Sequence, residues 1–413
     1  MRKHLVALLT SVFFLASCSP APATPVLLAS PTSGSGTMPG STPAPAASAG
    51  VPCMLLHTPI TPEATLGAGF DGRGHVSGAA DAPVTIIVFS DYQCLQCKFL
   101  AISLKQIRLT HPNDVRIIYL HSPQTNHDKD YLAIQAVEAS DLQGKFWEMH
   151  DLLFEKQAEW SGLTPADFEA WAVEQAAGLG LEAALFRSDF EGLVVADRLQ
   201  MAIRAAEVQQ FAPPRMFVNS TSPYTALADF ASLDTVVRLA ALTARQFSAC
   251  PPDNIDHLKQ YIVTMHTSKG DVVLQLYPEK APQAVNNFVF LARSGWYDEI
   301  TFYRVLTDDR VMTGDPSETG LGNPGYLFRT EMAAGLRFDQ PGMVAMDNDG
   351  ADTNGSRFFI TLASNPQWNG QYTIIGQVLS GLDILSALTS RNPQPGIVLP
   401  PGDELIRVTI EER

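Results

Sequence analysis

Cys94 and Cys97 stand in a C-x-x-C spacing. In such a pair one sulfur attacks a disulfide and the other resolves the mixed disulfide that forms. Zinc is the competing chemistry, but a structural zinc site needs four ligands, and no second C-x-x-C or Cys/His pair stands within reach. His111, His121 and His127 follow singly and are given no role. No metal and no cofactor is expected.

A reactive sulfur must be held as a thiolate, so the neighbouring elements decide the chemistry. Val84-Thr85-Ile86-Ile87-Val88-Phe89 is a β-branched apolar run that reads as a buried strand. Cys97, Leu100, Ala101 and Leu104 then fall on one face of a helix. This predicts Cys94 at the helix N-terminus with its thiol exposed, and Cys97 one turn in. Unpaired N–H groups and the helix dipole there favour a thiolate. Cys94 is the attacking or leaving sulfur, and Cys97 resolves. Downstream, a strand is predicted over Val115 to Leu120 and helical periodicity from about Tyr131 to Gln210. A Pro-led strand from Ala212 to Asn219, a short strand near Tyr224 and a helix from Ser232 to about Phe247 follow.

The 413 residues are 46% hydrophobic and 17% charged, which suits two globular domains and excludes wholesale disorder. A net charge of −15 argues against a phosphate-binding surface. Arg2 and Lys3 precede an apolar run from Leu5 to Ala16, too short to span a bilayer. The run ends in Leu15-Ala16-Ser17-Cys18, which resembles the lipobox of bacterial lipoproteins. That resemblance implies an acylated Cys18 and a body anchored by lipid on the extracytoplasmic face of the cell membrane. Residues 19–50 carry no charged side chain and read as an extended tether. With Cys18 lipidated, Cys53 and Cys250 remain. They bracket the first domain, and a disulfide closing it is expected, stabilising the fold by roughly 5 kcal/mol in the chain-entropy model. The expected division is a signal peptide and lipobox over 1–18, a tether over 19–62, a first domain over 63–250, a linker over 251–259 and a second domain over 260–413.

The first domain is similar to the DsbA-like branch of the thioredoxin fold, an α/β fold with a helical insertion. The likeness rests on Phe89-Ser90-Asp91-Tyr92, on Gln143-Gly144-Lys145-Phe146-Trp147 with Leu152-Leu153-Phe154, and on Pro214-Arg215-Met216-Phe217-Val218-Asn219. It implies that Pro214 is a cis proline facing the dithiol and shaping a groove for substrate peptide. Many relatives carry Pro after the first Cys, where this chain has Leu95 and then Gln96, so oxidation, reduction and shuffling of disulfides all stay open.

From Gln260 onward, short alternating strands with frequent turns and two helices predict a closed antiparallel β-barrel capped by helices. This stretch resembles cyclophilin-type peptidyl-prolyl isomerases in Ala281-Pro282 through Asn287-Phe288, Phe302-Tyr303-Arg304-Val305, Gly314-Asp315-Pro316, Asn323-Pro324-Gly325-Tyr326, Thr353 through Ile360 and Gly370-Gln371-Tyr372-Thr373. The resemblance implies that Arg304 donates to the prolyl nitrogen as the X–Pro bond twists. It also implies that Phe359 and Met312 line the ring pocket, Asn348 contacts peptide backbone and Tyr372 stands on the far rim. Asp309, Arg310, Met312, Asp347, Gln367 and Tyr372 depart from the usual pattern and imply reduced activity. Asp309 could pair with Arg304 and compete with substrate, or with Arg310 and do no harm. Asp347-Asn348-Asp349-Gly350 imitates a calcium loop, but its glycine is fourth rather than sixth. The whole reads as a folding factor acting on exported polypeptides, with a membrane redox partner as a further possibility. The alternative is a peptide-binding, chaperone-like module beside an oxidoreductase or reductase.

Overall fold

The structure, a computed structural model, describes residues 53–56, 74–209, 212–219, 229–394 and 399–413. Cys18, the charge-free tract over 19–50 and the strand read near Tyr224 lie outside them. Strand β1 (Cys53–Leu55) falls inside the segment read as tether, and its partner lies far along the chain.

The first half builds on β2 (His75–Ser77), β3 (Val84–Ser90), α1 (Leu95–Thr110) and β4 (Val115–His121). β3 and β4 are parallel, from Val84 opposite Val115 to Ser90 opposite His121, with α1 as the crossover that parallel neighbours require. The long helical stretch resolves into α2 (Asp130–Asp141), α3 (Phe146–Glu155), α4 (Gln157–Trp160), α5 (Pro165–Gly178), α6 (Ala183–Phe190) and α7 (Leu193–Gln209). Local chemistry sets several breaks. Gly144 adopts φ 73° between α2 and α3, and Thr164 caps α5 ahead of Pro165. Strand β5 (Arg215–Val218) runs antiparallel to β3, giving the order β2-β4-β3-β5. Helix α8 (Phe230–Leu242), capped by Asp229, closes this half. Val84, Ile86 and Val88 of β3 pack with Leu100 and Leu104 of α1 in its core.

The second half comprises β6 (Tyr261–Thr267), β7 (Gly270–Leu276), α9 (Pro282–Arg293), β8 (Ile300–Thr301), β9 (Arg304–Leu306), β10 (Arg310–Thr313), β11 (Tyr326–Phe328), β12 (Met343–Met346), β13 (Phe358–Thr361), β14 (Ile374–Ser380), α10 (Leu382–Ser386) and β15 (Glu404–Glu412). Among the described residues nine strands form one sheet in the order β8-β15-β6-β7-β14-β12-β13-β10-β9. The expected closed barrel is instead a curled, open half-barrel. Its edge strands β8 and β9 do not pair with each other, because the free edge of β9 is taken by a loop. Val305 donates its N–H to the Arg391 carbonyl at 2.7 Å, and Arg391 returns one at 3.0 Å.

β1 pairs antiparallel with β11, with Cys53 opposite Phe328 and Leu55 opposite Tyr326. Cys53 is disulfide-bonded to Cys250, with Cα atoms 5.7 Å apart. This bond does not close the first half alone, as was expected: Cys53 packs against the core of the second half, as do Phe247 and Ile255. Residues after α8 explain the change. Where the helix was expected to continue, Phe247 donates its N–H to the Pro324 carbonyl at 2.8 Å, drawing Cys250 toward β11.

Candidate functional sites

Cys94 and Cys97 are disulfide-bonded at the start of α1. Cys94 is the N-cap, and its sulfur accepts the Cys97 backbone N–H at 3.1 Å. The expectation of an exposed thiol does not hold: Cys94 is only 7% exposed and Cys97 is fully buried. Some of the cover comes from the segment leading into β5. The Pro213 carbonyl oxygen lies 3.9 Å from the Cys94 sulfur, and the Pro213–Pro214 peptide is cis. Leu95 and Phe99 stay exposed beside the disulfide, an apolar rim of the kind a peptide can press against.

The loop carrying Cys94 is anchored by residues that the cysteine pattern does not announce. Asp91, fully buried, accepts the N–H groups of Gln93 at 2.8 Å and Cys94 at 3.1 Å through one oxygen. Its other oxygen accepts Gln124 N–H at 3.0 Å and faces His127 Nδ1 at 2.7 Å. Gln157 donates to the carbonyls of Tyr92 at 2.7 Å and Cys94 at 3.1 Å. Burial, and then the charge of Asp91, push the Asp130 carboxyl well above its ordinary range. Asp91 lies inside the quoted motif and could have been singled out. Gln157 lies 63 positions beyond Cys94 and gives no local sign.

In the half-barrel, cross-strand register assembles the second site. Arg304 stands opposite Met312, Met312 opposite Phe359, and Phe359 opposite Ala345. Directly opposed residues share a face of the sheet, so these four form one row across four strands. Their sequence neighbours Val305, Val311, Ile360 and Val344 turn the other way into the main core. Met312 and Phe359 belong to a separate apolar cluster with Tyr303, Phe338, Met343, Ala345 and Ile374, flanked by Trp368 and Tyr372. The Tyr372 ring meets Phe359 edge-on at 5.1 Å. Arg304 Nε is buried without a hydrogen-bond partner. Asn348 donates to Asn354 Oδ1 at 3.3 Å and to the Gln371 carbonyl at 3.4 Å. Next to the cluster a cavity of about 270 Å³ opens between Glu331, Met332, Leu336, Phe338, Tyr372 and Ile374.

The unusual residues divide into two groups. Asp309 accepts from Asn365 at 3.0 Å and lies 3.9 Å from Arg310 Nε, so of the two pairings considered it takes the one with Arg310. Arg310 itself sits over the pocket, its guanidinium carbon 4.5 Å from the Trp368 ring and 5.3 Å from the Phe359 ring. Phe359, packed also against Phe338, Trp368 and Tyr372, has no exposed surface. In the acidic loop, Asp349 pairs with Arg357 at 2.7 Å and Asp347 lies 3.6 Å from it. Burial raises the Asp347 carboxyl above its ordinary range, against the pull of Arg357 and Arg310.

Residues 71–233 match the thioredoxin family profile. Residues 262–404 match that of cyclophilin type peptidyl-prolyl cis-trans isomerases. Peptidyl-prolyl cis-trans isomerase CYP71 of Arabidopsis thaliana is 39% identical over 140 residues, 32% of this chain, and the chain spans only 22% of its length. Peptidyl-prolyl cis-trans isomerase CYP18-1 of the same organism is 38% identical over 137 residues, covering 32% of this chain and 86% of that relative. A solved cyclophilin type isomerase from Cryptosporidium parvum shares 30% identity, covering 37% of this chain and 98% of that one with a TM-score of 0.34. With a thioredoxin-like domain ahead of it and a near-complete relative aligned at such identity, the chain belongs to the cyclophilin-type peptidyl-prolyl cis-trans isomerase family.

Proposed function

We propose that this protein is an extracytoplasmic folding factor, held by lipid at Cys18, that rotates X–Pro bonds in its half-barrel and exchanges disulfides through a DsbA-like dithiol. Its clients are exported polypeptides, for which both steps are slow without a catalyst. A membrane redox partner would reset the dithiol. The observation that carries the isomerase reading is the row Arg304–Met312–Phe359, in which a buried guanidinium N–H without a partner adjoins an apolar cluster.

Amide resonance opposes rotation by ~18–20 kcal/mol. In the twisted state the prolyl nitrogen regains a lone pair that it lacks when planar. A guanidinium donating to that nitrogen therefore binds the twisted state selectively, which lowers the barrier. For the proline ring to reach Phe359, Arg310 must swing aside. That cover is also the one observation favouring the second reading, a peptide-holding module with little turnover.

The dithiol step balances as ordinary exchange. From the disulfide form, a client thiolate attacks the Cys94 sulfur and Cys97 leaves as thiolate. A second client thiolate then attacks the mixed disulfide at the client sulfur, and Cys94 leaves as a thiolate that the Cys97 N–H and the α1 N-terminus stabilise. The reverse sequence reduces a client.

Arg304→Ala should lower kcat/KM for proline isomerisation of a short peptide by about a hundredfold or more, as loss of a transition-state donor does, with an unchanged melting temperature. Equal rates in wild type and variant would leave only the peptide-holding reading. Cys94→Ser should abolish exchange with a model disulfide; undiminished exchange would remove Cys94 as the attacking sulfur.

A further inference from the structure

In the first half, three side chains from three elements converge near Tyr92, whose ring lies 6.0 Å from that of His121. Glu138 Oε1 of α2 lies 2.7 Å from His75 Nε2 of β2 and 2.9 Å from His121 Nε2 of β4. The three ligand atoms lie within 4.8 Å of one another. The side chains of His121 and Glu138 are 7% and 4% exposed, and that of His75 is 17% exposed, leaving one side open. Further groups surround them. Asp141 Oδ1 stands 3.7 Å from His75 Nδ1, and Arg198 binds Glu138 Oε2 at 2.8 Å and Asp141 at 2.7 Å. The His75 ring stacks on Phe146 with centroids 3.5 Å apart.

Hydrogen bonding within this group leaves the buried His121 Nδ1 without a partner. If both neutral imidazoles give their Nε2 protons to one carboxylate oxygen, both Nδ1 atoms are bare lone pairs. That of His121 is buried with no partner, and that of His75 faces the Asp141 carboxylate. A cation reverses the protonation. It takes the Nε2 lone pairs, each Nδ1 carries the proton, and His75 Nδ1–H then points at Asp141. A metal-bound histidine backed by a carboxylate in this way is fixed in tautomer and made more basic. The charges agree as well: Glu138 and Asp141 against Arg198 leave the group one unit negative before any cation arrives.

We propose that His75, His121 and Glu138 form a site for a divalent cation of the Zn²⁺ class, with a fourth position open to water on the His75 side. Two imidazoles and a carboxylate suit Zn²⁺ better than Mg²⁺ or Ca²⁺. With bonds of about 2.0–2.1 Å, tetrahedral ligand atoms sit roughly 3.3 Å apart, so each imidazole retreats by about half an ångström on binding. The ion ties β2, an edge strand of three residues, to β4 and α2.

The test is a Co²⁺ titration of the full chain in its disulfide-bonded form, whose sulfurs are not ligands. One Co²⁺ per chain is expected, with the visible bands of tetrahedral N/O coordination, no thiolate charge-transfer band, and displacement by Zn²⁺. His75→Ala should weaken binding at least tenfold while the metal-free melting temperature changes little. Should the buried variants His121→Ala or Glu138→Gln fail to fold, the wild type still decides: Zn²⁺ should raise its melting temperature, and EDTA should reverse the rise. Absence of stoichiometric binding, or binding unaffected by His75→Ala, overturns the proposal. So does a melting temperature that follows pH but ignores Zn²⁺.

Discussion

The Arg310 guanidinium gains a cation–π contact with Trp368 and Phe359 worth about 0.5–2 kcal/mol, and an incoming prolyl ring must displace it. Removing that cost should help catalysis. Arg310→Met is expected to raise kcat/KM on a neutral proline peptide by about two- to thirtyfold, the same energy converted at 1.4 kcal/mol per factor of ten. A protease-coupled isomerisation assay checks it, and a fall in rate would mean that Arg310 contributes to substrate binding instead. Arg304 and Phe359 could be singled out from the dense motifs around them, and cross-strand register does bring them into one row. Arg310 was legible only as a departure. Its reach over Phe359 depends on Trp368, from a different loop, and no local pattern encodes that meeting. The meeting of His121, named in the sequence but given no role, with His75 and Glu138 is hidden for the same reason.

At the scale of elements, α8 links the two halves through charge. Asp234 accepts from His111 at 2.6 Å and from Arg238 Nε at 2.8 Å, and Arg238 reaches Glu318 of the second half at 3.1 Å. Burial pushes the Asp234 carboxyl up, but His111 and Arg238 outweigh it and hold it below its ordinary 3.8. A carboxyl lowered in the folded state binds fewer protons there than when unfolded. Its stabilisation is therefore complete above the unfolded value and is lost as the pH falls through the folded one. Asp234→Asn should cost about 1–3 kcal/mol at neutral pH, a deficit that shrinks below about pH 4. Urea denaturation at the two pH values measures it; a deficit independent of pH would exclude the charge as its source. Apolar periodicity found the long elements of the first half, including α1, β3 and β4. Strands of four and three residues such as β10 and β11 are too short to show a period. The closed barrel was overcalled because alternation reports which face is buried and not whether two edges meet.

For the molecule as a whole, the cysteine count pointed to the Cys53–Cys250 pair, but not to which core the bond would lie against. That depended on β1 joining β11, a pairing of three residues with no pattern of its own. The bond spans 197 positions, for which chain entropy gives an upper figure of about 5 kcal/mol. Replacing both cysteines by serine should lower the denaturation midpoint and speed amide exchange at Met54 and Leu55 well before the rest of the half-barrel. Unchanged exchange there would show that β1 holds without the bond.

The seating of β1 also decides where mechanical force enters. Tension applied through the N-terminal segment arrives at Cys53, where β11 and the Cys250 sulfur take the strain together. Tension between that segment and the half-barrel would thus bypass the four strands around the dithiol.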